Sequence, residues 1–131
     1  VNTKTAGDIS EAFIAAHLLE QGHAVLKPLG DNLRYDLVID RGNGFERIQV
    51  KTGRIDRGAI EFKTASSYAH RGGKKVGYVG QIEAFAVWEP LSRKAYMVPI
   101  ALATTAAMRL RVEPSKNNQT AGVNMASDFE I

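Results

Sequence analysis

The chain has 131 residues, 44% of them hydrophobic, which suffices for one compact domain with a single core and leaves no composition shift to mark a second. Its formal net charge is +3, cysteine is absent, and no run approaches the roughly 18 apolar residues of a membrane span. Disulfides, thiolate metal sites and a membrane partner are thereby excluded, His17, His23 and His70 are too scattered for a zinc site, and with no secretory leader visible the expected location is cytoplasmic, intracellular and not secreted.

From the N-terminus, Gly7 to Gln21 reads as a helix, with Ile9, Phe13 and Ala16 on one side and Gly22 as its stop. Glu11 falls in line with Ile14, Ala15 and Leu18 at helical spacing. A carboxylate in such a stripe is costly without a partner, and a bound cation is one such partner. The plainer alternative places Glu11 at the stripe's edge, in the first turn, where the helix dipole favours acids.

Arg34 to Asp40 and Phe45 to Lys51 alternate apolar and polar residues with a period of two, the mark of half-buried strands. Arg41-Gly42-Asn43-Gly44 between them has the composition of a tight turn. If Asp40 pairs with Phe45, Asp36 lies opposite Gln49 with Cβ atoms about 5 Å apart, and Lys51 joins the same face two positions along. Ala59 to Thr64 reads as another strand, Phe85 to Trp88 and Ala95 to Val98 as a second hairpin, and Ile100 to Ala107 as a short helix. Met108 to Val112 reads as a late strand and Ser115 to Gly122 as a polar loop. Trp88 and Tyr96 read as core or interface aromatics with no chemistry assigned. The implied class is α+β, a mixed central β-sheet flanked by helices, in one domain over residues 1–131.

A carboxylate, an amide oxygen and an ammonium on one face suit metal-assisted phosphodiester hydrolysis. Oxygen ligands fit a hard cation such as Mg2+, and the ammonium can stabilise charge on the phosphorane or orient the attacking water. Each of the three taken alone reads more readily as the solvated face of an ordinary hairpin. The charge map adds to the nucleic-acid reading. Lys51, Arg54, Arg57, Lys63, Arg71, Lys74 and Lys75 stand against Asp56 and Glu61, a surplus of five that leaves the rest of the chain at −2. Positive charge gathered just after the candidate site is what a polyanion passing that site requires.

Glu11, Asp36 and Gln49-Val50-Lys51 together resemble the PD-(D/E)XK nuclease superfamily, whose pattern is an acid on the first helix, an acid on the second core strand and an acid-x-Lys triplet on the third. Tyr35 stands where the pattern has Pro, and Gln49 where most members have Asp or Glu. The runs Gly7 to Ala12, Pro28 to Asn32, Arg34 to Ile39, Gln49 to Arg54, Ser66-Ser67-Tyr68 and Asn117 to Gln119 are similar to the branch of homing endonucleases encoded within group I introns, which tolerates Gln at the position of Gln49.

The resemblance implies a restriction-endonuclease-like core. Its catalytic residues would be Glu11, Asp36, Gln49 and Lys51, with Glu11, Asp36 and Gln49 holding Mg2+, for which Mn2+ would substitute. Double-stranded DNA would lie on Arg54, Arg57, Lys63, Ser66, Ser67, Tyr68, Arg71, Lys74 and Lys75. One site cuts one strand, so a site-specific double-strand break implies a dimer or higher homo-oligomer. The alternatives are a Holliday-junction resolvase of the same fold, which reads branched shape, and a catalytically silent DNA-binding module in which Gln49 marks decay.

Overall fold

Asn2 opens the helix, because its side-chain oxygen accepts from the Thr5 N–H at 2.8 Å and satisfies one of the otherwise unpaired donors of the first turn. Helix α1 therefore spans Thr3–Glu20, four residues earlier than its expected start at Gly7. It stops where the sequence indicated. Gly22 adopts φ +88°, its N–H reaches Leu19 O at 3.0 Å, and the His23 N–H reaches Leu18 O at 3.1 Å, closing a Schellman motif. Gly22→Ala, with open space for its methyl but a left-handed backbone, is expected to lower stability by about 1 kcal/mol, measured by urea unfolding. The buried stripe is Ser10, Ile14 and Leu18, while Ile9 is 40% exposed. Glu11 thus flanks the stripe that faces the core.

The computed structural model describes residues 1–68, 74–114, 117 and 122–131. In chain order the strands are β1 (Ala24–Leu26), β2 (Leu37–Asp40), β3 (Phe45–Thr52), β4 (Arg54–Asp56), β5 (Ala59–Lys63), β6 (Ala65–Tyr68), β7 (Lys74–Gly77), β8 (Ala84–Glu89), β9 (Lys94–Pro99) and β10 (Ala107–Arg111). A five-stranded sheet runs β1-β2-β3-β8-β9, with β3 and β8 parallel and the other pairs antiparallel. Asp40 pairs with Phe45 in the expected register. Every residue of β8 is buried because both faces of the sheet are covered. Ala84, Ala86 and Trp88 pack toward α1 with Ile14, Leu18, Leu37, Ile39 and Ile48, and Phe13 stacks on Trp88 with ring centroids 4.5 Å apart. Phe85 and Val87 pack on the other face with Tyr78, Tyr96 and Val98.

That second face corrects one expectation. The class is α+β with a mixed sheet, but among the described residues α1 is the one α-helix, and a three-stranded sheet, β10-β5-β4, covers the far side through Ile60, Phe62, Met108 and Leu110. The helix expected over Ile100 to Ala107 is only a 3-10 turn at Ile100–Leu102. Its alanines favour helix, but Thr64 N–H donates to Ala106 O at 2.9 Å and Thr64 Oγ1 to Thr104 O at 2.5 Å, which draws the backbone out to start β10. The polar loop expected over 115–122 lies outside the described residues, except for 117 and 122.

Strands β6 and β7 form a separate two-stranded arm, Ala65 opposite Gly77 and Tyr68 opposite Lys74. Between β3 and β4, Gly53 donates to Trp88 O at 2.7 Å, and a Cβ there would stand 2.7 Å from Ile60 Cγ2 and 2.9 Å from Val87 Cγ1. Only a residue without a side chain fits. The outer edge of β9 is covered by the last residues, since Met97 N–H donates to Phe129 O and Ile131 N–H to Ala95 O. Among the described residues no helix is long and apolar enough to cross a membrane.

Candidate active site

Asp36 sits one residue before β2, where the ladder to β3 gives way to a side chain. Its backbone N–H still donates to Ile48 O at 2.8 Å, and its Oδ2 accepts the next N–H along, that of Val50, at 2.9 Å. The carboxylate is thus fixed to the strand that carries Gln49 and Lys51. The ladder ends at Leu37 opposite Ile48, so the expected pairing of Asp36 with Gln49 lies one step beyond it, and Asp36 is held there by its bonds to Ile48 and Val50. Ile48 and Val50 point into the α1-side core, which sends Gln49 and Lys51 to the other face. Both are half-buried, and among the described residues the Gln49 amide has no hydrogen-bond partner.

Glu11 reaches the same region from α1. It lines a cleft of about 160 Å³ together with Lys27, Tyr35 and Asp36. Its partner in the structure is Lys27, whose Nζ donates to Glu11 Oε1 at 2.9 Å, with 22% of the Glu11 side chain exposed. Pairing with Glu11 holds the Lys27 ammonium above its ordinary pKa. Lys27 was not singled out in the sequence, because nothing local shows that residue 27 comes back over residue 11.

Burial pushes the Asp36 carboxyl above the usual carboxylate range. The Val50 N–H pulls it down, the Glu11 charge pushes it further up, and Lys51 and Lys27 offset part of that rise. No lysine or arginine makes a direct ion pair with Asp36 among the described residues, so its negative charge is under-compensated. Nor do these residues hold a group of three or more His, Cys, Asp or Glu arranged for a metal. Glu11 and Asp36 bring two carboxylates to one cleft, and oxygen donors of this kind fit a hard divalent cation better than a soft one.

Lys51 Nζ donates to the Tyr78 hydroxyl at 3.3 Å and lies 5.0 Å from the centre of its ring. Neither Tyr78 nor Arg34 was read from the sequence as a site residue, since Tyr78 lies 27 positions beyond Lys51 and Arg34 counted only in the alternation of a strand.

The expected DNA-contacting positions fall into three groups. Arg54, Arg57 and Lys63 are exposed on or beside β4 and β5, where Arg57 pairs with Asp56 at 3.3 Å and Arg54 approaches Glu61 at 3.8 Å. Arg109 of β10 also binds both acids, at 3.1 Å to Asp56 and 2.8 Å to Glu61, and it holds the Asp56 carboxyl below the usual range. The acids counted against this basic region are therefore already shared with a cation from elsewhere. Ser66 is turned inward, accepting from Arg34 Nη1. Ser67, Tyr68, Lys74 and Lys75 pair through their backbones in the β6–β7 arm, and Arg71 lies outside the described residues.

The profile of a family described as PD-(D/E)XK endonuclease matches residues 1–131. This chain belongs to the PD-(D/E)XK endonuclease family. Its fold is also similar to a solved bacterial homing endonuclease, I-Ssp6803I, with a TM-score of 0.81 at 21% sequence identity, over 99% of this chain and 89% of that one. No curated protein gave a significant match. Of the residues singled out in the sequence, Glu11 of α1 and Asp36 line one cleft, and Gln49-Val50-Lys51 lie on β3, whose Val50 N–H donates to Asp36.

Proposed function

We propose that this chain is a Mg2+-dependent DNA endonuclease of the homing type, cutting both strands of a specific duplex as a dimer or higher homo-oligomer. The observation that carries the reading is the under-compensated Asp36 carboxylate, bonded to the backbone of the strand that presents Gln49 and Lys51 and sharing a cleft with Glu11. Asp36 and Gln49, with Glu11 directly or through water, would hold the cation. Bound there, Mg2+ or Mn2+ would supply a Lewis acid for the scissile phosphate and lower the pKa of a coordinated water.

The chain's own groups do the rest. Lys51 stabilises negative charge developing on the phosphate, or orients the attacking water, and both uses need its ammonium beside Asp36. The Val50 N–H fixes one Asp36 oxygen, so the other keeps a set direction. Arg54, Arg57 and Lys63, with the β6–β7 arm, supply positive charge along the path of the backbone. One such site hydrolyses one strand, hence the need for a second copy.

The test incubates the protein with Mg2+, a duplex library of random sequence and a synthetic four-way junction. Discrete cleavage at one sequence supports the homing reading. Junction nicking regardless of sequence would replace it with a resolvase, and binding without any cleavage with a silent module.

Gln49→Glu adds a negative charge about 5 Å from Asp36. It should lower the Mg2+ concentration for half-maximal cleavage while leaving turnover equal or reduced at neutral pH, because the amide's donor is lost and repulsion between carboxylates rises. The measurement is cleavage rate against Mg2+ for both forms. A large gain in turnover at saturating Mg2+ would instead mark Gln49 as a sign of decay.

A further inference from the structure

The geometry points to Tyr78 as a positioning residue for Lys51, and to Arg34 as the clamp through which the β6–β7 arm sets that position. The inference rests on Lys51 being the catalytic cation of the proposed endonuclease. Lys51 is a long, flexible side chain with about 2 kcal/mol of rotamer entropy, so a half-buried lysine that must act at one point needs something to hold it. Among the described residues its one hydrogen-bond partner is the Tyr78 hydroxyl, at 3.3 Å, and its ammonium lies 5.0 Å from the Tyr78 ring centre, within cation–π range.

Tyr78 is itself fixed. It is only 4% exposed and meets Phe85 edge-on, with centroids 5.4 Å apart and planes at 84°. The Arg34 guanidinium lies 3.9 Å from the ring centre. Arg34 is not a local feature of the site. Its Nη1 donates to Ser66 Oγ of β6, its Nη2 to Val76 O at 3.2 Å and Gly77 O at 2.9 Å of β7, and its Nε to Gln81 Oε1 at 2.6 Å. One guanidinium therefore ties both strands of the arm to the segment that leads into Asp36 and to the ring that holds Lys51. Seating the arm on a duplex would shift the Arg34 anchor points and, through Tyr78, the ammonium. Arm and lysine are set as a unit.

The residue types fit the roles. Phe at 78 would keep the ring but lose the acceptor for the ammonium. Lys at 34 would keep the charge but could not span a serine hydroxyl, two carbonyls and an amide while lying flat on a ring.

The experiment measures single-turnover cleavage of supercoiled plasmid DNA with Mg2+ or Mn2+, duplex affinity by fluorescence anisotropy, and Tm, for wild type, Lys51→Ala, Tyr78→Phe, Arg34→Lys and the Tyr78→Phe/Arg34→Lys double variant. Tyr78→Phe should lower the rate at saturating DNA by about 10- to 100-fold with Kd and Tm unchanged, a split that a merely structural tyrosine would not produce. Arg34→Lys should lower the same rate, and the double variant should be little worse than the poorer single one, because both act through one side chain. Tyr78→Phe cleaving at the wild-type rate, or losing rate only in step with Tm or Kd, would overturn the positioning role. Losses that multiply in the double variant would overturn the clamp. Wild type that cuts while Lys51→Ala does not upholds the nuclease reading whatever Tyr78→Phe does. If Lys51→Ala cuts as wild type does, or wild type cuts nothing, the nuclease reading fails and this inference falls with it.

Discussion

Asp36→Ala and Lys51→Ala are each expected to slow DNA cleavage by at least about 100- to 1,000-fold while leaving the fold and DNA affinity largely intact, by analogy with the loss of one preorganised donor at a reacting centre. Asp36 is bonded to the Val50 N–H and shares its cleft with Glu11, so its removal takes away the anionic centre around which the site is built. Lys51 supplies the opposite charge on the same face of β3. Glu11→Gln should be milder than either, since Glu11 stands at the cleft wall and is already neutralised by Lys27. Cleavage at saturating DNA, with anisotropy and circular dichroism as controls, decides it; wild-type cleavage by Asp36→Ala would place the active site elsewhere.

The same carboxylate yields a second result that needs no activity. Its pKa is raised in the fold, so its contribution to stability is full below the unfolded value of about 3.8 and is lost as pH rises through the folded value. At neutral pH the ionised group opposes folding. Asp36→Asn keeps an acceptor for the Val50 N–H without the charge, and should therefore melt higher than wild type at pH 7 in the absence of divalent cations, with the two converging in acid. Mg2+ should raise the Tm of wild type and not that of the variant. A lower Tm for Asp36→Asn at pH 7 would contradict the under-compensated charge.

Gly53→Ala is the other large effect. The added methyl would meet Ile60 and Val87 at under 3 Å, and both are branched core side chains with little freedom to retreat. Overpacking of this kind costs about 1–3 kcal/mol. The expected readout is a lower urea midpoint with an unchanged m-value. Because residue 53 follows Lys51 by two positions, the strain should also lower cleavage at temperatures where the variant is fully folded. A midpoint equal to wild type would show that β3 and β8 can part enough to admit a methyl group.

The hairpin was legible in the sequence because its information is local. Alternation over Leu37 to Asp40 and Phe45 to Lys51, and a glycine-rich turn between them, leave one register that buries the apolar set, and Leu37 to Asp40 adopt it against Phe45 to Ile48. The end of α1 was equally local, written in Gly22. What could not be read comes from distant pairing. Strands β1 and β4 are three residues long, too short for a period to show. Strand β7 contains two lysines and a glycine and is a strand only because β6 lies beside it. Ala101 to Ala107 has helical propensity that the bonds from Thr64 override. The site divides the same way: Asp36, Gln49 and Lys51 share one hairpin, whereas the Lys27 partner of Glu11 and the Tyr78–Arg34 contacts around Lys51 depend on chain segments that meet only in three dimensions.

The parallel pairing of β3 with β8 also governs the order in which the molecule forms. The β2–β3 hairpin closes a four-residue loop and brings Asp36 to the Val50 N–H on a timescale of about microseconds. The other side of β3 waits for Ile48 to find Ala84 across the whole length of β4 to β7, and the loop entropy of that closure must be met before any rung rewards it. Refolding should be limited by this late docking. A chain emerging from the ribosome would carry the hairpin long before β8 exists, so that Lys51 would lack both Tyr78 and its β8 neighbour Val87 until residue 87 had been made.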